Sequence, residues 1–88
     1  FVDSLNKESS RLKFSNPKKG IELAQTSFLI AEKAKYENGK AESHRVRGLI
    51  YNYLVEKDSC IKYYFLALNL FKKNNNEEGI ARVSNNLG

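Results

Sequence analysis

The chain has 88 residues, of which 41% are hydrophobic and 28% are charged, and it carries a formal net charge of +5 at pH 7. These proportions are typical of a folded domain and exclude a disordered chain. No apolar run approaches the roughly 18 residues of a membrane span. Its fifteen Lys and Arg residues are spread from Lys7 to Arg82 without a block, which favours a solvated helical surface over an anionic partner.

The first predicted helix contains Leu5, Leu12 and Phe14, which recur at helical spacing. Asn16-Pro17 then ends it and begins a second helix, because Asn caps a helix N-terminus with its side-chain oxygen and Pro is favoured at the first helical position. Apolar residues follow in three- and four-residue steps until Asn38-Gly39 breaks the pattern: Ile21, Ala24, Phe28, Ala31 and Ala34.

The third helix is predicted from Lys40 to about Val55, and Asp58 is the expected N-cap of a fourth helix that runs from Ser59 to Lys73. The apolar face of the fourth helix is wide enough to predict packing on two sides. Asn74-Asn75-Asn76 ends that helix. Glu77-Glu78 then puts negative charge at the start of a fifth helix, which carries the apolar residues Ile80, Val83 and Leu87.

The sequence also repeats itself. A triplet of small, aromatic and small residues recurs after 36 residues, as Ala24, Phe28 and Ala31 and then as Cys60, Tyr64 and Ala67. A second match has a displacement of 40 residues and relates Gly39-Lys40-Ala41 to Gly79-Ile80-Ala81, and Gly48 to Gly88. The difference predicts a four-residue extension in the turn between Asn74 and Glu78. A repeated helical pair of this kind indicates an open array rather than a closed bundle.

These residues resemble the tetratricopeptide repeat family. Its motif places a small residue, a Leu-Gly-like pair and a Tyr on the first helix, and then Ala, an aromatic and Ala on the second. The middle repeat is the clearest copy, with Ala41, Arg47-Gly48, Tyr51, Cys60, Tyr64 and Ala67. The first repeat keeps only its second-helix triplet, since Arg11-Leu12 and Ser15 stand where the pair and the Tyr belong. The segment from Glu78 to Gly88 is similar to repeats of bacterial signalling and regulatory proteins.

The resemblance implies an all-α fold, an α-α superhelix of about two helical hairpins plus a further helix. Residues 1–88 then form one repeat domain, with repeat one at about 5–40, repeat two at about 41–80 and the start of repeat three at 81–88. Because the chain has no methionine and stops in mid-pattern, we expect it to be part of a larger protein.

No residue pattern predicts catalysis, a cofactor or a metal site. His44 is the only histidine and Cys60 the only cysteine, whereas metal sites gather three or four ligands. We interpret both as packing residues and expect no enzyme activity. Most aromatic residues are expected in the core, with Tyr53 and Tyr63 the first choices for exposed contacts. A lone cysteine forms no internal disulfide, so the compartment, cytoplasmic or periplasmic, stays open.

In the tetratricopeptide family the first helix of each repeat lines a concave groove that receives peptides. Carried over, the groove residues are Lys13, Glu42, Arg45, Leu49, Asn52, Tyr53, Arg82 and Asn85, with Ser9 and Asn86 beside them. The arginines and Lys13 would pair with acidic groups, the asparagines with a peptide backbone, and Leu49 and Tyr53 with apolar side chains. The family's clamp for chaperone tails is not reproduced, because Ser9, Lys13 and Val46 do not match it.

The resulting hypothesis is a scaffold that binds a protein or an acidic peptide, as the sensing or assembly part of a bacterial regulator, without membrane contact. Two alternatives stay open. One is a homo-oligomer joined through the apolar face of Val83 and Leu87. The other, less favoured, is nucleic-acid binding by the basic surface, which predicts affinity that falls steeply with salt.

Overall fold

A computed structural model describes residues 1–87, which form five α-helices and no strand in that range. The helices are α1 (Val2–Arg11), α2 (Pro17–Lys33), α3 (Glu37–Tyr53), α4 (Lys57–Lys73) and α5 (Glu77–Leu87). Each helix packs on the next in the chain. The predicted all-α fold of two helical hairpins and a further helix is therefore confirmed.

The helices form two layers. Helices α1, α3 and α5 lie side by side in one layer and α2 and α4 in the other, and within residues 1–87 the backbones of α2 and α4 do not touch. The molecule measures 32 × 29 × 17 Å, and its smallest dimension fits two layers of helices. Helix α3 is central, since it contacts every other helix. The arrangement is an α-solenoid-like array, with one face formed by α1, α3 and α5.

Turns of one kind connect α2 to α3, α3 to α4 and α4 to α5. In each turn the middle residue has a positive φ: 57° at Lys35, 62° at Val55 and 57° at Asn75. The next residue donates its backbone N–H to a carbonyl five positions back, as in Tyr36 to Ala31 at 2.8 Å. This is the Schellman ending of a helix, in which the left-handed residue is usually Gly or Asn. For a β-branched residue such as Val55 the conformation costs about 1–2 kcal/mol.

Because α2, α3 and α4 each contain 17 residues and share one kind of turn, helices begin at residues 17, 37, 57 and 77. The hairpin therefore repeats every 40 residues. The predicted 36-residue match and the four-residue extension between Asn74 and Glu78 are wrong. A shift of four residues is close to one helical turn, so it keeps the same face of the helix and leaves the pattern of small and aromatic residues almost unchanged. The 40-residue match of Gly39 with Gly79 is confirmed, and Gly88 lies outside the described residues.

Several predicted helix boundaries are also wrong. Helix α2 ends at Lys33, and Asn38 and Gly39 lie inside the first turn of α3. Helix α1 ends before Leu12, and Glu56 rather than Asp58 is the N-cap of α4. Neither Glu56 nor Tyr36, the N-cap of α3, makes a side-chain capping bond, so no residue type marked these starts. The Asn16 cap is confirmed, because its side-chain oxygen accepts the Lys19 N–H at 3.2 Å.

Aromatic rings packed on glycines hold the hairpins together. A Cβ on Gly48 would lie 2.5 Å from the Tyr64 ring, and a Cβ on Gly79 would overlap the ring of Phe71. Both rings are buried, so they have little room to move aside. The main core cluster consists of Ala41, Cys60, Tyr64, Ala67, Phe71 and Val83. Helix α4 thus packs on α3 and on α5, as predicted.

Val83 is fully buried in this cluster. The predicted fifth-helix face of Val83 and Leu87 is therefore only half correct as a free apolar surface, because Val83 is covered while Leu87 is 39% exposed. Hydrophobic patterning marks Val83 as apolar but does not show that Phe71 already covers it. Elsewhere α4 leaves Ile61, Phe65 and Leu66 exposed.

Replacing Gly48 with alanine should destabilise the fold, although alanine favours helices, because the new methyl group meets the buried Tyr64 ring. Overpacking of this kind costs ~1–3 kcal/mol. The thermal midpoint should fall by roughly 4–8 °C per kcal/mol in a domain of this size. Asn52→Ala, at an exposed position of the same helix, is the control and should not lower it. An unchanged midpoint for Gly48→Ala would contradict the packing.

Candidate functional site

A cleft of about 710 Å³ lies on the face formed by α1, α3 and α5. Helix α1 forms one wall, α3 the middle and Arg82 of α5 the far wall. The lining consists of Asp3, Asn6, Lys7, Ser10, Arg11, Tyr36, Asn38, Glu42, Arg45, Val46, Phe71, Asn76 and Arg82.

Glu42 lies between two arginines in this cleft. Arg45 donates two hydrogen bonds to its carboxylate, at 2.9 and 2.6 Å, and Arg45 also donates to the side-chain oxygen of Asn86 at 3.1 Å. Burial lowers the pKa of Arg45, but the hydrogen bonds and the charge of Glu42 outweigh it and raise the pKa above its ordinary value. Arg45 is therefore charged and held in one orientation.

Arg82 is held more loosely. Its guanidinium lies 3.6 Å from the Glu42 carboxylate and 2.9 Å from that of Glu78. The Arg82 side chain is 46% exposed, against 14% for Arg45. Exposed ion pairs contribute little to stability, so Arg82 is free to turn toward another anion.

The α1 wall carries polar groups of a different kind. The Tyr36 hydroxyl donates to both Asp3 oxygens, at 3.0 and 3.2 Å, and that bond is the main cause of the raised pKa of Tyr36. Asn6 is only 3% exposed and donates its amide to the carbonyl of Gly39 at 3.4 Å. Its side-chain oxygen has no hydrogen-bond partner among the described residues. Lys7 is exposed beside it.

The cleft is positively charged overall. Among the lining residues, the cations Lys7, Arg11, Arg45 and Arg82 outnumber the carboxylates Asp3 and Glu42. Two carboxylates outside the lining, Glu8 and Glu78, pair with Arg11 and Arg82. Such a surface attracts anions. The Arg45 fork already holds Glu42, so the more exposed guanidinium of Arg82 is the better placed of the two to take a second carboxylate. Arginine stays protonated at physiological pH, so these groups suit binding rather than proton transfer.

Three of the predicted groove residues line the cleft: Glu42, Arg45 and Arg82. Leu49 instead packs against the main core cluster. Asn52 and Asn85 are exposed outside the lining. Lys13 and Tyr53 lie at the C-terminal ends of α1 and α3, away from the cleft. Ser9 is buried and donates its hydroxyl to the carbonyl of Gly20, and Asn86 accepts from Arg45.

Sequence reasoning missed all five residues of the α1 wall. The motif register for the first repeat pointed to residues 9 and 13, whereas the cleft uses Asp3, Asn6, Lys7, Ser10 and Arg11. Each of these five residues lies three or four positions from another of them, so a search for a polar helical stripe would have found them.

His44 lies outside the cleft, in a stack of rings between α2 and α4. Its ring centroid is 4.7 Å from that of Phe28 and 5.8 Å from that of Tyr63. Tyr51 stacks on Tyr63 in turn, at 5.6 Å, and the Arg47 guanidinium lies 5.0 Å from the Tyr63 ring. Tyr63 is therefore half-buried rather than exposed, while Tyr53 is exposed.

The environment of His44 keeps its imidazole neutral. Burial, followed by the charges of Arg47 and Lys40, lowers its pKa from 6.5 to about 4. Cys60 is buried, and burial raises the pKa of its thiol. No group of three or more potential metal ligands lies together in residues 1–87.

No family model matches the chain, and neither the curated proteins nor the solved structures with which it was compared contain a match. Within residues 1–87, none of the helices is long and apolar enough to cross a membrane.

The folded protein should lose stability as the pH falls from 6.5 to about 4. Over that range His44 takes up a proton in the unfolded chain but not in the folded one, so acid favours unfolding. Above pH 6.5 His44 is neutral in both states and does not make the stability depend on pH. His44→Phe keeps the ring stack and removes the titration. The thermal midpoint of the variant should therefore decline less steeply than that of the wild type. Parallel declines would contradict the shifted pKa.

Proposed function

We propose that the chain is a scaffold module whose cleft binds an extended protein segment carrying acidic side chains. The observation that carries the proposal is the arrangement of Arg45 and Arg82 about Glu42, facing Lys7 on the opposite wall. An acidic side chain that enters the cleft meets one fixed guanidinium and one that is free to reorient.

The backbone of the bound segment also has a partner. The unpaired oxygen of Asn6 is an acceptor on the α1 wall, and an unpaired buried polar group is costly. The oxygen is itself buried, so a peptide N–H would reach it only after the Asn6 side chain turns toward the cleft, and the new bond would then remove that cost. The proposal thus assigns the carboxylate to the arginines and a backbone donor to Asn6.

The resemblance to tetratricopeptide repeats supports the same surface, because the first helices of those repeats line a concave peptide groove. Here α1, α3 and α5 occupy those positions and line the cleft. We further propose that the module serves in the sensing or assembly part of a bacterial regulator, which the likeness of the segment from Glu78 to Gly88 to repeats of such proteins supports. Binding without chemistry also fits a His44 that is stacked outside the cleft.

A displayed library of random peptides, selected on the whole chain, tests this function. Peptides rich in Asp and Glu should be enriched. Fluorescence anisotropy of an enriched peptide should show binding that weakens at least about tenfold, or ~1.4 kcal/mol, in the double variant Lys7→Glu, Arg82→Glu. Both positions are solvent-exposed, so helicity should not change.

The double variant Lys72→Glu, Lys73→Glu is the matched control for charge, since both lysines are exposed on α4 outside the cleft. It makes the same reversal and should alter the affinity less than about twofold. Enrichment of no acidic peptide, or an equal loss in the control, would contradict cleft binding. If labelled nucleic acid instead binds with an affinity that falls steeply with salt, and reversal of any cationic position weakens it equally, the general basic surface binds nucleic acid.

A further inference from the structure

An exposed apolar patch lies at the edge of the molecule that contains the C-terminal ends of α1 and α3. It consists of Phe14, Tyr53, Leu54 and Val55, and we call it the terminal patch. Phe14 is 67% exposed and Val55 73% exposed. The rings of Phe14 and Tyr53 meet edge to face with centroids 5.0 Å apart, so the two turns present one continuous surface. Apolar side chains grouped in this way usually mark an interaction site.

Val55 is the residue least suited to its position in a free monomer. The equivalent turns carry Lys35 and Asn75, whereas Val55 has a φ of 62° and a β-branched side chain. It also exposes most of that side chain to water. Both costs fall on one residue, and its packing within the monomer offsets neither. Contact with a partner would bury the side chain and account for its presence.

The two sides of the terminal patch carry opposite charge. On the α1–α2 side, residues 12–19 include Lys13, Lys18 and Lys19 and no acidic residue. The Lys13 ammonium lies 5.0 Å from the Phe14 ring centroid, so it borders the apolar surface directly. On the α3–α4 side, Glu56 and Asp58 line a shallow depression together with Val55, and Lys57 only partly offsets them.

We propose that the terminal patch binds a second copy of this chain about a two-fold axis. In a two-fold interface the same patch serves both partners. The rotation brings the basic side of one copy against the acidic side of the other, twice. The monomer charge of +5 and the small apolar area work against association, so we expect a weak dimer. The terminal patch lies outside the cleft, so this inference does not depend on the proposed peptide binding.

Sedimentation equilibrium over a roughly hundredfold range of protein concentration tests the proposal. The average mass of the wild type should rise from 10.1 kDa toward twice that value. Val55→Asn should stay monomeric. Its thermal midpoint, measured at low concentration, should rise by a few degrees, because Asn tolerates the left-handed conformation. Lys35→Asn, at the equivalent turn, should associate like the wild type. A wild-type chain that is monomeric at every concentration would overturn the proposal. A different protein would then be the partner of the terminal patch.

Charge exchange tests the two-fold arrangement. Lys13→Glu and Glu56→Lys should each weaken the dimer at least about threefold by placing like charges together. The double variant should recover most of the loss, since the two sides again attract. Dimerisation of Val55→Asn as strong as that of the wild type, or a double variant no better than either single variant, would overturn the interface.

Discussion

The structure depends on two contacts of α4, in each of which an aromatic ring packs on a glycine of a neighbouring helix. Tyr64 packs on Gly48 of α3, and Phe71 packs on Gly79 of α5. A glycine lets the helix backbones approach, and the ring fills the remaining space, which fixes the distance between neighbouring helices. In α2, which is equivalent to α4, Ala24 and Ala31 occupy the positions that Tyr64 and Phe71 occupy in α4. Gly39 of α3 is therefore not covered by a ring of α2, and Tyr36 and Val2 cover it.

This packing decides which surface remains open. Because α4 and α2 take up one side of α3, the opposite side faces the cleft between α1 and α5. That side of α3 carries Glu42 and Arg45, which are largely buried and tightly paired. A partly buried ion pair contributes more to orientation than to stability. The cleft is therefore built before any ligand arrives, which lowers the entropy cost of binding.

The sequence predicted the features that side-chain type determines. The five helices and the Asn16 cap follow from residues whose chemistry admits few alternatives. The repeat length did not follow, because a slip of one helical turn keeps the same face. The starts of α3 and α4 did not follow either, since backbone turns rather than capping side chains set them. Helix α1 was misjudged because its buried positions include Asn6 and Ser9, which hydrophobic patterning does not detect.

Proton NMR of the folded chain tests the central packing claim most directly. The account predicts nuclear Overhauser contacts between the Gly48 α-protons and the Tyr64 ring, and between the Gly79 α-protons and the Phe71 ring. It also predicts that these α-protons are shifted by the ring currents. A folded, helical protein in which both contacts are absent would contradict the helix spacing, and with it the cleft.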